Sequence, residues 1–100
     1  MNDFFALPPF KAAEALVQLR RQLRDWRPLV EREVGGVPGF EIAGQRVIEL
    51  VAGDATIEAR LARKPARTPD WQVRTLKSSA DVRQWQDEVK RRLTDWTDDT

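Results

Sequence analysis

Side chains that carry out acid–base, nucleophilic or metal chemistry near neutral pH are scarce in this chain. It has no histidine, no cysteine and no tyrosine among its 100 residues. Histidine is the usual general base and the commonest metal ligand, and cysteine supplies thiolates, disulfides and structural zinc sites. Carboxylates, lysines, arginines and hydroxyls remain, and no motif gathers them. We therefore expect a protein that is not an enzyme, with no catalytic residue, no cofactor and no metal site.

Three groupings of the remaining polar residues were weighed as reactive sites. Ser78-Ser79 follows a lysine, but serine at a predicted helix start is typical of an N-cap. Glu49 and Glu58 could face each other across a hairpin, but solvated charges on a sheet face are far more common than a carboxylate pair. The acidic residues between 95 and 99 lack the spacing of a calcium-binding EF-hand loop. Each grouping therefore favours a structural or solvated role over chemistry.

Clustered arginines are the one positive indication of a ligand. The first cluster falls within about 60° on the first predicted helix, and the second lies on the predicted strand 56–63 and the loop after it. Guanidinium groups suit contacts with phosphate, so an RNA- or DNA-binding module is the alternative function. Pairing of these arginines with nearby carboxylates is the interpretation that we favour. The residues are Arg20, Arg24 and Arg27 in the first cluster, and Arg60, Arg63, Lys64 and Arg67 in the second.

Composition indicates one folded domain spanning residues 1–100. Charged residues make up 33% of the chain and hydrophobic residues 41%, with four Trp and four Phe for a core. The net charge of +1 argues neither for nor against a polyanionic partner. No stretch approaches the roughly 20 apolar residues of a membrane span, and the start lacks the basic region of a secretory signal. We expect a cytoplasmic protein with no membrane partner, and the arginine-rich composition suggests a bacterial source.

Two amphipathic helices are predicted. The first runs from Pro9 to Arg27 with an apolar stripe about 80° wide. Val30 and Val34 continue this stripe, so we predict a helix that is kinked at Pro28 and extends to Gly35-Gly36. The second helix begins after Ser78, which forms a capping box with Asp81. The second stripe contains Val82, Trp85, Val89, Leu93 and Trp96.

Residues between the helices alternate as strands do. Predicted strands cover residues 40–43, 46–52, 56–63 and 71–77, with Gly53-Asp54 as a two-residue turn. Ile57, Ala59 and Leu61 are expected to face the helices. The predicted fold is α+β: a two-layer sandwich in the order α-β-β-β(-β)-α, in which an antiparallel sheet of three or four strands carries both terminal helices on one face.

This order of helix, strands and helix is similar to the double-stranded-RNA-binding fold, α-β-β-β-α. The likeness concerns the order of elements. That family has a lysine-rich start to its second helix, whereas this helix opens with residues 79–83, Ser-Ala-Asp-Val-Arg. We therefore carry no residue role over from the family.

Apolar residues outside the predicted core suggest the favoured function. Phe4, Phe5 and Leu7 form an N-terminal arm, and the sheet face away from the helices is predicted to carry further apolar side chains. We expect a small non-catalytic module that binds an unknown protein partner or forms a homodimer. The predicted sheet-face contacts are Val47, Val51 and Leu76.

Overall fold

The computed structural model describes residues 10–97 of the chain. Two helices flank five strands in the order α1 (Ala12–Arg24), β1 (Val30–Val34), β2 (Val37–Ile42), β3 (Gln45–Ala52), β4 (Ile57–Ala62), β5 (Trp71–Leu76) and α2 (Ser79–Thr97). The strands form one antiparallel sheet in the order β1-β2-β3-β4-β5. The predicted α+β sandwich is confirmed, with five strands rather than three or four.

The segment after Pro28 corrects the sequence prediction. Residues 30–34 form strand β1 and not a kinked helical extension. Helix α1 ends at Arg24, four residues before Pro28, where a proline ring clashes with the helical carbonyl and offers no N–H. Val30 and Val34 are 63% and 49% exposed rather than buried. Their spacing of four fits a strand as well as a helix, because four is also a multiple of the strand period of two.

Tight turns connect β1 to β2 and β3 to β4. Gly35 and Gly36, predicted as a helix stop, instead form a two-residue hairpin turn with φ of +59° and +80°. A positive φ at both central residues gives the twist that hairpins prefer, and Gly-Gly adopts it without strain. The turn between β3 and β4 spans residues 53–56, where the Gly53 N–H donates to the Thr56 carbonyl at 2.8 Å. This bond leaves residues 54–55 between its partners, so the turn is displaced by one residue from the predicted Gly53-Asp54.

The core lies between one face of the sheet and both helices. Ile57, Ala59 and Leu61 face the helices as predicted, and each is at most 1% exposed. From α2, Trp85 is 2% exposed and Val89 is fully buried. The remaining fully buried core residues include Leu23, Phe40, Ile48 and Leu50.

Helix α2 begins as its sequence predicts. The Asp81 N–H donates to the Ser78 hydroxyl oxygen at 3.1 Å, and the Asp81 carboxylate accepts from the Lys77 N–H at 2.9 Å. These bonds satisfy donors that a helix start leaves free. The cap accounts for Ser78, so no reactive role for it is needed.

Helix α1 is joined to β1 by a charged contact. The Glu31 carboxylate accepts from Arg20 Nε at 2.6 Å and from Arg24 Nε at 2.5 Å. Glu31 faces the helices because it lies opposite the buried Phe40 in the register. This contact fixes the first edge of the sheet under α1.

Candidate functional site

The face of the sheet turned away from the helices, which we call the open face, is the candidate site. Strand alternation and the register place on it side chains that are exposed or half-buried. They are Val30, Arg32, Val34, Val37, Glu41, Arg46, Glu49, Val51, Glu58, Arg60, Trp71, Val73 and Thr75.

Exposed apolar side chains concentrate on the open face. Five large hydrophobic residues are exposed among the described residues, and four of them lie here. These are Val30, Val34, Val51 and Val73; the fifth, Val17, lies on α1. Single exposed valines are ordinary, but a set gathered on one face is typical of a contact surface.

A charge network crosses the middle of the open face. Glu49 accepts from Arg46 Nε at 2.8 Å and lies 3.7 Å from Arg60 Nη1. The Arg46 guanidinium also donates to the carbonyls of Arg32 and Val37, at 2.9 and 2.8 Å. A residue that bonds through all three guanidinium nitrogens is held in one orientation. The centre of the face is therefore ordered before any partner arrives.

Gly39 makes room for the Arg46 side chain. A Cβ at position 39 would lie 2.5 Å from the Arg46 guanidinium carbon and 2.4 Å from the Ile48 carbonyl oxygen. Both distances are shorter than van der Waals contact. The lack of a side chain at Gly39 thus lets Arg46 lie flat across β2.

An irregularity in β3 aims Arg46 at this position. Phe40 pairs with Ile48 and Glu41 pairs with Arg46, so Val47 is an extra residue in β3. Such a β-bulge changes which side of the strand the following residues face. It places Arg46 and Glu49 on the same face despite their odd spacing, and it leaves Val47 fully buried.

Opposite charges balance on the open face. Besides the contacts of Glu49, Arg60 lies 3.7 Å from Glu58 and Arg32 lies 3.8 Å from Glu41. The face is therefore apolar at several points and close to neutral in total charge. A neutral face of this kind suits a protein partner better than a polyanion.

The predicted partner contacts differ in exposure. Val51 lies on the open face and is 44% exposed. Val47 and Leu76 are fully buried, which corrects their predicted place on the exposed face. Leu76 lies opposite the buried Ile57 in the register, so it faces the helices. The arm residues Phe4, Phe5 and Leu7 lie outside the described residues.

The two predicted arginine clusters lie apart, and four of their seven residues pair with carboxylates. Arg20 and Arg24 bind Glu31 beneath β1, whereas Arg60 lies on the open face. Arg63 pairs with Asp70 at 3.1 Å at the far end of β4. Sheet order separates β1 from β4 by three steps of about 4.8 Å, or about 14 Å. Of the cluster residues, Arg27, Lys64 and Arg67 are exposed and have no carboxylate partner among residues 10–97.

Glutamates 49 and 58 do not face each other. Glu49 lies opposite Arg60, and Glu58 lies opposite Val51. The carboxylate pair considered from the sequence therefore does not form, because the turn is centred on residues 54–55 and shifts the register by two residues. Across residues 10–97, no group of three His, Cys, Asp or Glu side chains is arranged to hold a metal ion.

A groove of about 880 Å³ separates the starts of the two helices, on the opposite side from the open face. Phe10, Leu19 and Val82 contribute its apolar lining, and Gln22 bonds to Gln86 beside it. The lining residues that the structure describes include one carboxylate, Glu14, and two hydroxyl residues, Ser78 and Ser79, of which Ser78 caps helix α2.

Comparison of the chain with protein-family models, with curated protein sequences and with solved structures gives no match. Neither of the helices in the described range is long and apolar enough to cross a membrane. Sequence reasoning missed Arg32, Arg46 and Glu41 as members of the site. Alternation through Val30, Arg32 and Val34 was the available signal, but it was assigned to the helical period.

Proposed function

We propose that the chain is a small non-catalytic protein that binds another protein through its open face. The observation that carries the proposal is the gathering of exposed valines on the one face of the sheet that neither helix covers. Removing such side chains from water stabilises a complex by roughly 25 cal/mol per Å² of apolar area. Protein interfaces also favour aromatic residues and arginine, and the open face carries Trp71 and Arg46.

The charge network supports recognition of a protein chain. Arg46 is already bonded to Glu49 and to two carbonyls, so little side-chain entropy is lost when it is covered. These contacts occupy all three nitrogens of the Arg46 guanidinium, which disfavours a role for Arg46 in binding phosphate. The predicted arm contacts Phe4, Phe5 and Leu7 remain part of the proposal as a second contact region.

Site-specific photo-crosslinking tests the proposal. A photoreactive residue at Val51 samples the open face, and the same residue at Val17 is the matched control. The two valines are 44% and 54% exposed and lie on opposite sides of the molecule. We expect covalent adducts with another protein from position 51 and not from position 17. Equal labelling from both positions, or none, would contradict a role for the open face.

A further inference from the structure

The outer edge of β5 has free backbone hydrogen-bonding groups. The Arg63 N–H donates to the Asp70 carbonyl at 2.9 Å, which sets the phase of the ladder between β4 and β5. Bonded pairs alternate along an antiparallel ladder, so Gln72 and Arg74 bond towards β4. Trp71, Val73 and Thr75 then direct their N–H and C=O groups outward. No strand among residues 10–97 pairs with that edge.

Side chains along this edge leave it accessible. The outward-directed residues are uncharged, and their side chains lie on the open face. Gln72 and Arg74 point to the other face and are held by α2, where Arg92 donates to Gln72 and Arg74 donates to Gln84. The strand itself has six residues and contains no proline. Charges, prolines and bulges are the usual protection of a sheet edge. Strand β5 contains no proline, and the residues whose backbone groups face outward carry no charge.

The other edge of the sheet is protected by charge. The two-residue turn makes Val34 and Val37 a bonded pair, so Glu31 and Glu33 direct their backbone groups outward. Any two-fold antiparallel pairing of β1 with a second β1 sets a glutamate opposite a glutamate. Like charges directly opposite each other destabilise a strand pair. Charge complementarity therefore excludes self-pairing at β1 and allows it at β5.

We infer that two copies of this chain associate by antiparallel pairing of β5 with β5, about a two-fold axis at Val73. Trp71 of one copy then lies opposite Thr75 of the other, and Gln72 lies opposite Arg74. All three outward-directed residues enter bonded pairs, and no like charges oppose each other. The result is a continuous sheet with both open faces on one side.

The pairing register is specified because the registers on either side of it are less favourable. A shift by two residues in one direction sets Pro69, which has no N–H, opposite Thr75 of the second copy. A shift in the other direction sets Arg74 opposite Arg74. The pairing centred on Val73 avoids both conflicts. This inference goes beyond the proposed function, since it concerns a sheet edge and a second copy rather than the open face and its partner.

A single introduced cysteine tests the register, because the chain has no cysteine of its own. Bonded residues in an antiparallel pair have Cα atoms about 5.5 Å apart, within the range that a disulfide spans. Under mild oxidation, Val73→Cys should form a covalent dimer at least about tenfold faster than Val51→Cys, because paired strands hold the thiols at a high effective concentration. Equal rates would overturn the inference.

Sedimentation equilibrium of the full chain tests association without a cross-link. We expect a mass twice the 11.5 kDa of one chain. Val73→Pro removes only an outward N–H, so it should weaken the dimer about tenfold or more while circular dichroism is unchanged. Val73→Thr keeps that N–H and should preserve the dimer. A monomer at about 1 mM, a concentration that detects even weak association, would overturn the inference, whatever then occupies the edge.

One further variant separates this inference from the proposed function. Val51→Lys adds a charge to the open face, away from the β5 edge. It should leave the dimer intact and reduce binding of a different protein. A dimer that is lost in Val51→Lys and kept in Val73→Pro would place self-association on the open face and overturn the edge pairing.

Discussion

Replacing Glu31 with Gln removes the charge that joins β1 to α1. The carboxylate accepts from Arg20 and Arg24 at 2.6 and 2.5 Å, and its side chain is only 19% exposed. Hydrogen bonds to charged groups contribute about 1.5–3 kcal/mol, whereas exposed ion pairs contribute about 0–1 kcal/mol. Arg24 is 51% exposed and Arg20 is 29% exposed, so the contact of Glu31 with Arg24 belongs to the weaker class of exposed ion pairs. We expect Glu31→Gln to lower the free energy of unfolding by about 2 kcal/mol at pH 7.

The loss should depend on pH in a defined direction. Burial by itself raises the pKa of Glu31, but hydrogen bonds from Arg24 and Arg20 and their positive charges outweigh this effect. The net result is a pKa below the ordinary value of 4.5. A lowered pKa means that the folded state binds this proton less readily than the unfolded state. The stabilisation is therefore present above about pH 4.5 and is lost as the pH falls through the folded pKa.

Urea unfolding followed by tryptophan fluorescence measures the effect. Urea is preferred to guanidinium chloride because a denaturing salt screens ion pairs. Glu33→Gln is the matched control, since Glu33 lies in the same strand and is exposed, with no ion pair among the described residues. The difference between wild type and Glu31→Gln should be largest at pH 7 and should shrink as the pH falls below about 4.5. A loss equal to that of Glu33→Gln, or one that grows as the pH falls, would refute the reasoning.

Three further predictions concern packing and the alternative ligand. Gly39→Ala should cost about 2–4 kcal/mol in urea unfolding because its Cβ meets the Ile48 carbonyl, whereas Gly53→Ala, whose Cβ meets only ordinary contacts, should cost less than about 1 kcal/mol. Trp85→Ala should cost about 3–5 kcal/mol by the same assay; a loss below about 1 kcal/mol would contradict its place in the core. In filter-binding titrations at low salt we expect no retention of RNA or DNA; if nucleic acid is bound, Arg63→Ala with Arg67→Ala should flatten the salt dependence by about 2 units.

Much of the fold could be predicted from local pattern. Helix α2 combines a capping box with an apolar stripe of helical period, and these two independent signals agree. Strand β4 alternates strictly enough for Ile57 and Leu61 to be placed towards the helices. These elements were predictable because the local signals and the final packing favour the same structure.

Strand β1 could not be assigned from its own residues. Val30 and Val34 fit both periods, and the nearest strong signal was the helix before them. Pairing with β2 across Gly35-Gly36 decides the structure, because that hairpin provides the backbone hydrogen bonds that residues 30–34 would otherwise lack. The Gly-Gly pair was a hairpin signal that was assigned to a helix end instead.

The candidate site was only partly predictable because the face on which a strand residue lies depends on the pairing register. Val47 was placed with Val51 by alternation, but the extra residue in β3 breaks that alternation. Leu76 was predicted on the sheet face away from the helices, but it lies opposite the buried Ile57. Trp71, on the same strand, lies on the open face and is half-buried there. Neither a bulge nor the facing of an edge strand is specified by composition alone.

The two edges of the sheet differ in charge, and Glu31 contributes both to this difference and to the stability of the fold. Its carboxylate holds β1 under α1, and its presence at the edge also opposes self-pairing there. Glu31→Gln should weaken the first role. For the second, Glu33 still opposes Glu33 in a pairing centred on residue 33 and Arg32 opposes Arg32 in one centred on residue 32, whereas a pairing centred on residue 31 overlaps only residues 30–32 of the strand. Consequently, the variant should lose stability without gaining a new mode of association through β1. Any dimer that it forms should still dissociate when Val73→Pro is added, because the only uncharged edge of the described sheet is β5.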